Sequence, residues 1–329
     1  MLKRRQFIHR AAAGAALVPL WPAGVMAQAQ EPWPTRPVRI VVGYSAGGGS
    51  DAVGRMFAQL LSESMGQPFL VENRPGAGGN IAADHVAHGN DNHKLLFGVG
   101  AHVINASLYP KIPYDPIKDF SPISMIAVAP NVLVAKPSLG AKDIRDVIVM
   151  AKAKPGTLTY SSPGTGTPMH LAMELFASMA GIKLIHVPYN GGGPSVQSTL
   201  AGTTDLLTMS LPTVMPHIKS GKLQALGVTS RKRSPQMPEI PTVEEAASLP
   251  GYEALAWYGL LAPARMPAGS VQRLAAAMHK DLQRTEVKER LQGQGFEPTP
   301  MSPEEYGRFL VEDMEKWAKV VKASGARVE

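Results

Sequence analysis

The sequence predicts a two-lobed α/β protein built on largely parallel sheets, and three patterns predict it. Short β-branched or apolar runs alternate with segments of helical period. Most of these runs end in a turn rich in Gly, Ser or Thr that opens the next helix. The whole set occurs twice, divided by a long apolar stretch over 123–135.

In chain order, Lys3, Arg4, Arg5 and Arg10 precede a small-residue, mostly apolar run over 11–27, the pattern of an export signal. Arg4-Arg5-Gln6-Phe7-Ile8 resembles a twin-arginine core, and small residues place cleavage near Ala27 or Ala29, so residues 1–29 are expected to leave. Pro19 and Pro22 interrupt a run already shorter than the ~20 apolar residues of a spanning helix. The first strand, 38–42, runs into Gly43, Tyr44, Ser45, Ala46, Gly47, Gly48, Gly49, Ser50 and Asp51. Val53, Met56, Phe57, Leu60, Leu61 and Met65 then mark one helix face, which Gly66 stops. A strand over 69–71, a glycine loop over 75–80 and a helix opened by Asn80 as N-cap and closed by Gly89 repeat the unit. A strand over 95–99 leads to a loop at Gly100-Ala101-His102.

After 123–135 the second set begins. A strand over 158–161 runs into Ser162-Pro163-Gly164-Thr165-Gly166, with Thr167 as N-cap and Pro168 at the first helical position. A strand over 184–187 runs into Pro188-Tyr189-Asn190-Gly191-Gly192-Gly193-Pro194, and one over 205–210 runs into Leu211-Pro212-Thr213. A long apolar strand over 254–262 precedes helices from Gly269 and from Ser302, the latter with a Ser302/Glu305 capping box.

Composition excludes several functions. The 329 residues contain no Cys, which removes disulfides, thiolate metal sites and a cysteine nucleophile. The formal charge of +7 falls to +3 once the four basic residues of the signal leave, since no acid leaves with them. The basic cluster Arg231-Lys232-Arg233 sits in a Ser/Pro-flanked turn with few aromatics, the composition of a solvated loop rather than a nucleic-acid surface. Methionine is plentiful and reads as core filler.

The strand-end loops point to an anion. In open α/β sheets ligands sit off the carboxyl ends of strands, where helix N-termini direct unpaired N–H groups outward. Glycines let successive amides converge on one carboxylate without Arg or Lys. One set of such loops per lobe makes a clamp for a small acid.

Other motifs compete. Gly43-Tyr44-Ser45-Ala46-Gly47 matches G-x-S-x-G, so a secreted serine hydrolase using Ser45 is the alternative. Against it, the strand is the first of the mature chain, which leaves no upstream loop for an oxyanion hole, and Gly48-Gly49 delay the helix. Gly164-x-Gly166 and Gly76-x-Gly78-Gly79 lack the full dinucleotide fingerprint. His85, His88 and His93 come with no HExxH or third acidic ligand pattern and read as a solvated polar face, so no metal is expected. His170 reads as a helix-face residue near the cleft, without a carboxylate partner apparent in sequence.

Glu72-Asn73-Arg74-Pro75-Gly76-Ala77-Gly78-Gly79-Asn80 resembles the ENRPGAGGN segment of the Bug family, the periplasmic receptors of tripartite tricarboxylate transporters. Ser107-Leu108-Tyr109, Tyr114-Asp115-Pro116, His186-Val187-Pro188-Tyr189, Pro216-His217-Ile218 and Trp257-Tyr258-Gly259-Leu260-Leu261-Ala262-Pro263 fit the same family, as does Lys316-Trp317-Ala318-Lys319 near the end. The resemblance implies a type II periplasmic-binding-protein fold, with two lobes joined by strands crossing near Met125 and near Leu255. Lobe one would then hold 30–125 and 256–329, and lobe two 126–255. It implies a ligand carboxylate gripped by backbone amides and ordered waters at Tyr44 to Asp51, at Ser161, Ser162, Gly164, Thr165, Gly166 and Thr167, and at Tyr189, Asn190 and Gly191, with Asp205 and Ser210 in the segment shaping the far end. It implies no catalysis and no cofactor. The partners would be a small carboxylate and membrane transporter subunits, with no nucleic acid, for a monomer in the periplasm. The first loop departs from the family's PF-x-PGG-like pattern, and Ser210 stands where Asn is common, which bears on ligand identity.

Overall fold

In the computed structural model the described residues are 33–47 and 49–328. The export-signal expectation falls on residues 1–29 and lies outside them.

The first units form in the expected order. β1 (Val38–Val42), buried at all but Arg39, leads to α1 (Gly49–Met65); β2 (Phe69–Asn73) leads through a 3-10 turn to α2 (Asn80–Ala87); β3 (Lys94–Val99) leads to α3 (Ala101–Leu108). β1 pairs in parallel with β2 on one side and β3 on the other. Near-continuous apolar runs such as Ile40-Val41-Val42 suit a parallel sheet covered on both faces. The α2 cap differs from the expected one: Gly79 caps the helix, and the Asn80 side chain turns inward to accept hydrogen bonds from Asn105 Nδ2 and the Tyr114 hydroxyl, each at 2.8 Å.

β4 (Phe120–Ala135) is the longest strand of the fold and changes partners along its length. Phe120 to Pro130 pairs antiparallel with β9, with register shifts near Ser124 and Ala127, while Asn131 to Ala135 pairs with β7 and β8. After α4 (Ile144–Ala153), the second set follows as β5 (Thr159–Ser162), α5 (Pro168–Ala180), β6 (Ile185–Pro188), α6 (Gly192–Leu200), β7 (Leu206–Ser210) and α7 (Leu211–Lys219). β5 lies between β7 and β6, parallel to both. β8 (Gln224–Val228) and α8 (Val243–Ala247) complete this half. The chain returns through β9 (Leu255–Pro263), antiparallel to β3 and β4, and ends in α9 (Ala268–Gln283), α10 (Thr285–Gly293), β10 (Glu297–Pro298) and α11 (Pro303–Ser324).

Two lobes thus share one curled sheet path, β2-β1-β3-β9-β4-β7-β5-β6, in keeping with the two-lobed α/β fold expected from the sequence. Their cores are joined by α11, which places Tyr306 and Leu310 in the first and Trp317, Val320 and Val321 in the second. Buried Trp257 of β9 donates its indole N–H to Asp313 of the same helix at 2.8 Å, which satisfies the polar edge of an otherwise apolar ring. Among the described residues no helix is long and apolar enough to cross a membrane.

Candidate ligand site at the strand carboxyl ends

Parallel pairing puts the carboxyl ends of β5, β6 and β7 side by side; β7 runs directly into α7, whereas short loops lead from β5 to α5 and from β6 to α6. The loop after β5 is built by its own polar groups. The Thr167 hydroxyl caps α5 by accepting the His170 N–H at 3.3 Å and donates to Gly164 O at 2.7 Å. Pro168 occupies the first turn, where its missing N–H costs nothing. The loop after β6 is laced to it: Tyr189 N–H donates to Ser162 O and Gly191 N–H to Pro163 O, both at 3.0 Å. The Tyr189 hydroxyl is tied to Ser198 on α6 at 2.6 Å.

Gly166 explains why this loop needs glycine. Its φ is +77°, and a Cβ there would fall 2.1 Å from Leu108 Cδ2 on α3. The second-lobe loop therefore packs directly on a first-lobe helix. In the first lobe, Gly43 is as constrained, since a Cβ would lie 2.8 Å from Gly79 Cα.

The first loop hangs on Asp51. Its carboxylate, 4% exposed, accepts the Gly47 N–H and Arg55 Nε–H on one oxygen and Asn73 Nδ2–H on the other, all at 2.9 Å. Asn73 also donates to Tyr44 O at 3.0 Å. The Arg55 hydrogen bond foremost, with those of Gly47 and Asn73, holds the carboxyl down to about 2 against the opposing effect of burial. The Tyr44 hydroxyl donates to Gly78 O at 3.3 Å, and burial, with Tyr258 and Tyr109 nearby, raises its pKa well above the usual phenol value. Beside it a small cavity lined by Gly43, Tyr44, Gly78, Phe97, His102 and Tyr114 leaves about 20 Å³ for a water's centre, enough for one water. His102 Nε2 lies 2.9 Å from Pro116 O, to which it donates, and its Nδ1 is a buried acceptor without a partner among the described residues.

The expected residues do not all converge. Ser45, Ala46 and Gly47 are exposed on the first loop, and Thr165 and Asn190 on the second-lobe loops. The N–H groups of Ser45, Ala46, Thr165, Asn190, Gly192 and Gly193 have no acceptor among the described residues. Gly49 and Ser50 open α1, and Gly48 lies outside the described residues. Ser210 is at the end of β7, its hydroxyl 2.8 Å from that of Thr213. Ser161 points to the other sheet face, with its hydroxyl on Ser195 O and Thr199, because alternate strand residues face opposite sides. Asp205 precedes β7, at the far end from Ser210, where it binds Lys136 Nζ at 2.8 Å and the Thr159 N–H. Asp51 lends its carboxylate to the loop itself.

The sequence analysis singles out neither Arg55 nor Asn73 as a support of the first loop: Asn73 acts through contacts distant in sequence, whereas Arg55 stands one helical turn after Asp51, a spacing readable in principle. His170 does have an acid nearby, with Glu174 at 3.8 Å one helical turn on, a spacing readable in principle. Among the described residues no imidazole is hydrogen-bonded to Ser45. His85, His88 and His93 meet different groups: Lys94, Asp84 and Thr35. Arg231 and Arg233 are paired with Glu253 and Glu245.

Comparison with known proteins gives a consistent picture. Residues 53–326 match the family model of the tripartite tricarboxylate transporter family receptor. Protein BugT of Bordetella pertussis is 33% identical over 311 residues, covering 93% of this chain and 95% of BugT. Two solved structures from Rhodopseudomonas palustris superpose over most of both chains. Rpa4515 with adipate is 36% identical with a TM-score of 0.76, covering 89% of this chain and 98% of its own. MatC with bound malate is 31% identical with a TM-score of 0.73, covering 88% and 100%.

Proposed function

The chain belongs to the receptor family of the tripartite tricarboxylate transporters, and from that premise we propose that it is a periplasmic solute receptor. It captures a small carboxylate between its lobes, performs no chemistry on it, and delivers it to membrane transporter subunits. It acts as a monomer after residues 1–29 are removed, with lobes joined near Met125 and near Leu255.

The observation that carries this reading is the chemistry of the strand-end loops. Residues 43–51, 161–167, 189–193 and 210–213 contain no Lys or Arg. They offer instead N–H groups without acceptors among the described residues and the N-termini of α1, α5, α6 and α7, which suit an anion. Adipate and malate, named with the two solved relatives, are both dicarboxylates, which supports a small di-acid as the ligand class.

Gly193 provides the test. Nothing lies within 4 Å of a Cβ placed there, so a side chain costs no packing. Gly193→Asp puts a like charge beside the free amides of α6 while favouring the helix dipole by about 0.3–1 kcal/mol. Calorimetric titration with adipate and malate is expected to show an affinity loss of about 10-fold or more, with an unchanged or raised melting temperature. Gly193→Ala keeps its affinity. Equal affinities in all three proteins would remove the α6 N-terminus from the site.

A further inference from the structure

Beneath the loop after β5 lies a group of ionisable side chains that the carboxylate site does not itself use. The rings of His170 on α5 and His186 on β6 stack with centroids 3.9 Å apart and 16° between planes. Tyr160 of β5 stacks on His186 at 4.9 Å, and its hydroxyl donates to Glu174 Oε1. That oxygen lies 3.8 Å from His170 Nε2. His170 Nδ1 accepts the Gly166 N–H at 3.0 Å. His186 Nε2 is 2.7 Å from Ser162 Oγ, with one hydrogen between them, and Ser162 Oγ also accepts the Gly164 N–H at 3.2 Å. Each imidazole therefore ends on a different point of one loop.

Core filling does not account for this pair. Leu or Phe would occupy the space without desolvating ring nitrogens. To accept from Gly166, His170 must be neutral with its proton on Nε2; a protonated ring would aim N–H at N–H. Burial supplies that neutrality. It pushes His170 down to about 3, with the neighbouring His186 adding to the effect, and His186 down to about 4. The titratable groups facing the pair are Tyr160 from β5 and Glu174 from α5, and burial raises the pKa of both, against their charged forms.

We propose that His170 and His186 are positioning residues for the ligand: two neutral imidazoles that hold the Gly166 N–H and Ser162 Oγ, fixing the loop from which the free Thr165 N–H meets the carboxylate. This rests on the carboxylate site proposed above. His170→Asn keeps an acceptor close to the Nδ1 position, whereas His170→Phe keeps the ring and loses the acceptor.

The test uses the full chain in two arms. In the ligand-free protein, amide exchange at Gly166 is expected to quicken about 10-fold or more in His170→Phe and to stay near the wild-type rate in His170→Asn, with β5 amides unchanged in both. Histidine nitrogen shifts of the wild type at about pH 6 should show His170 neutral and in the Nε2–H form, a readout that survives even if a variant does not fold. In the binding arm, His170→Phe is expected to lose about 10-fold or more in affinity for adipate or malate, and His170→Asn to recover most of it. A protonated or Nδ1–H His170, unchanged Gly166 exchange in His170→Phe, or equal affinity in His170→Phe would each overturn the proposal. If the wild type binds no carboxylate, the functional reading fails, and the exchange and nitrogen-shift arm alone decides whether the imidazoles hold the loop.

Discussion

Asp51 shows how a residue expected at the ligand can instead organise the loop it stands in. Its two oxygens gather Gly47, Arg55 and Asn73, and so set the course of the chain after β1. Asp51→Ala leaves those donors unpaired and is expected to cost about 1–3 kcal/mol of stability, read as a lower melting temperature, and to weaken carboxylate binding as the loop loosens. The pH dependence follows from the lowered pKa. The contribution of Asp51 is fully present above the ordinary carboxylate value of about 4, and it is lost as pH falls through about 2, where the folded protein's carboxyl takes up its proton. Melting curves of wild type and Asp51→Asn should therefore converge in strong acid. A gap that stays constant down to about pH 2 would show that charge is not what Asp51 supplies.

At the scale of elements, two helix caps separate ligand geometry from simple stability. Thr167 caps α5 within a loop proposed to meet the ligand, and Ser302 caps α11 with a full capping box through Glu305. Both Thr167→Ala and Ser302→Ala are expected to cost about 0.5–2 kcal/mol in unfolding free energy. Only Thr167→Ala should also lower ligand affinity, because it removes the Gly164 contact; a matched affinity loss in Ser302→Ala would contradict this. Both caps were legible in sequence, since Thr167-Pro168 and Ser302…Glu305 are local signals. Strand-turn-helix units were legible for the same reason. β8 was not, because Gln224-Ala225-Leu226-Gly227-Val228 carries little strand pattern of its own and is fixed by pairing with β4. Nor was the loss of Asn80 as a cap, which depends on Asn105 and Tyr114, distant in sequence. The site divides in the same way. Glycine loops announce themselves, whereas which face Ser161 takes and which end of β7 Asp205 occupies are settled by register.

Over the whole molecule, β4 and β9 carry the chain between two lobes, the Gly166 loop of the second packs on Leu108 of helix α3 in the first, and α11 ties the two cores together. The loops proposed to meet the ligand carry no Lys or Arg, so in the proposed function backbone amides from both lobes would receive it. The central claim is that these amides recognise a carboxylate, and the most direct measurement is calorimetric titration of the protein with a series of small dicarboxylic acids and their dimethyl esters. At least one acid is expected to bind with a Kd of about 10 µM or tighter, and its ester, with the same carbon skeleton and no negative charge, to bind about 100-fold more weakly or not at all. An ester that binds as tightly as its acid, or a series in which no acid binds, would contradict the account.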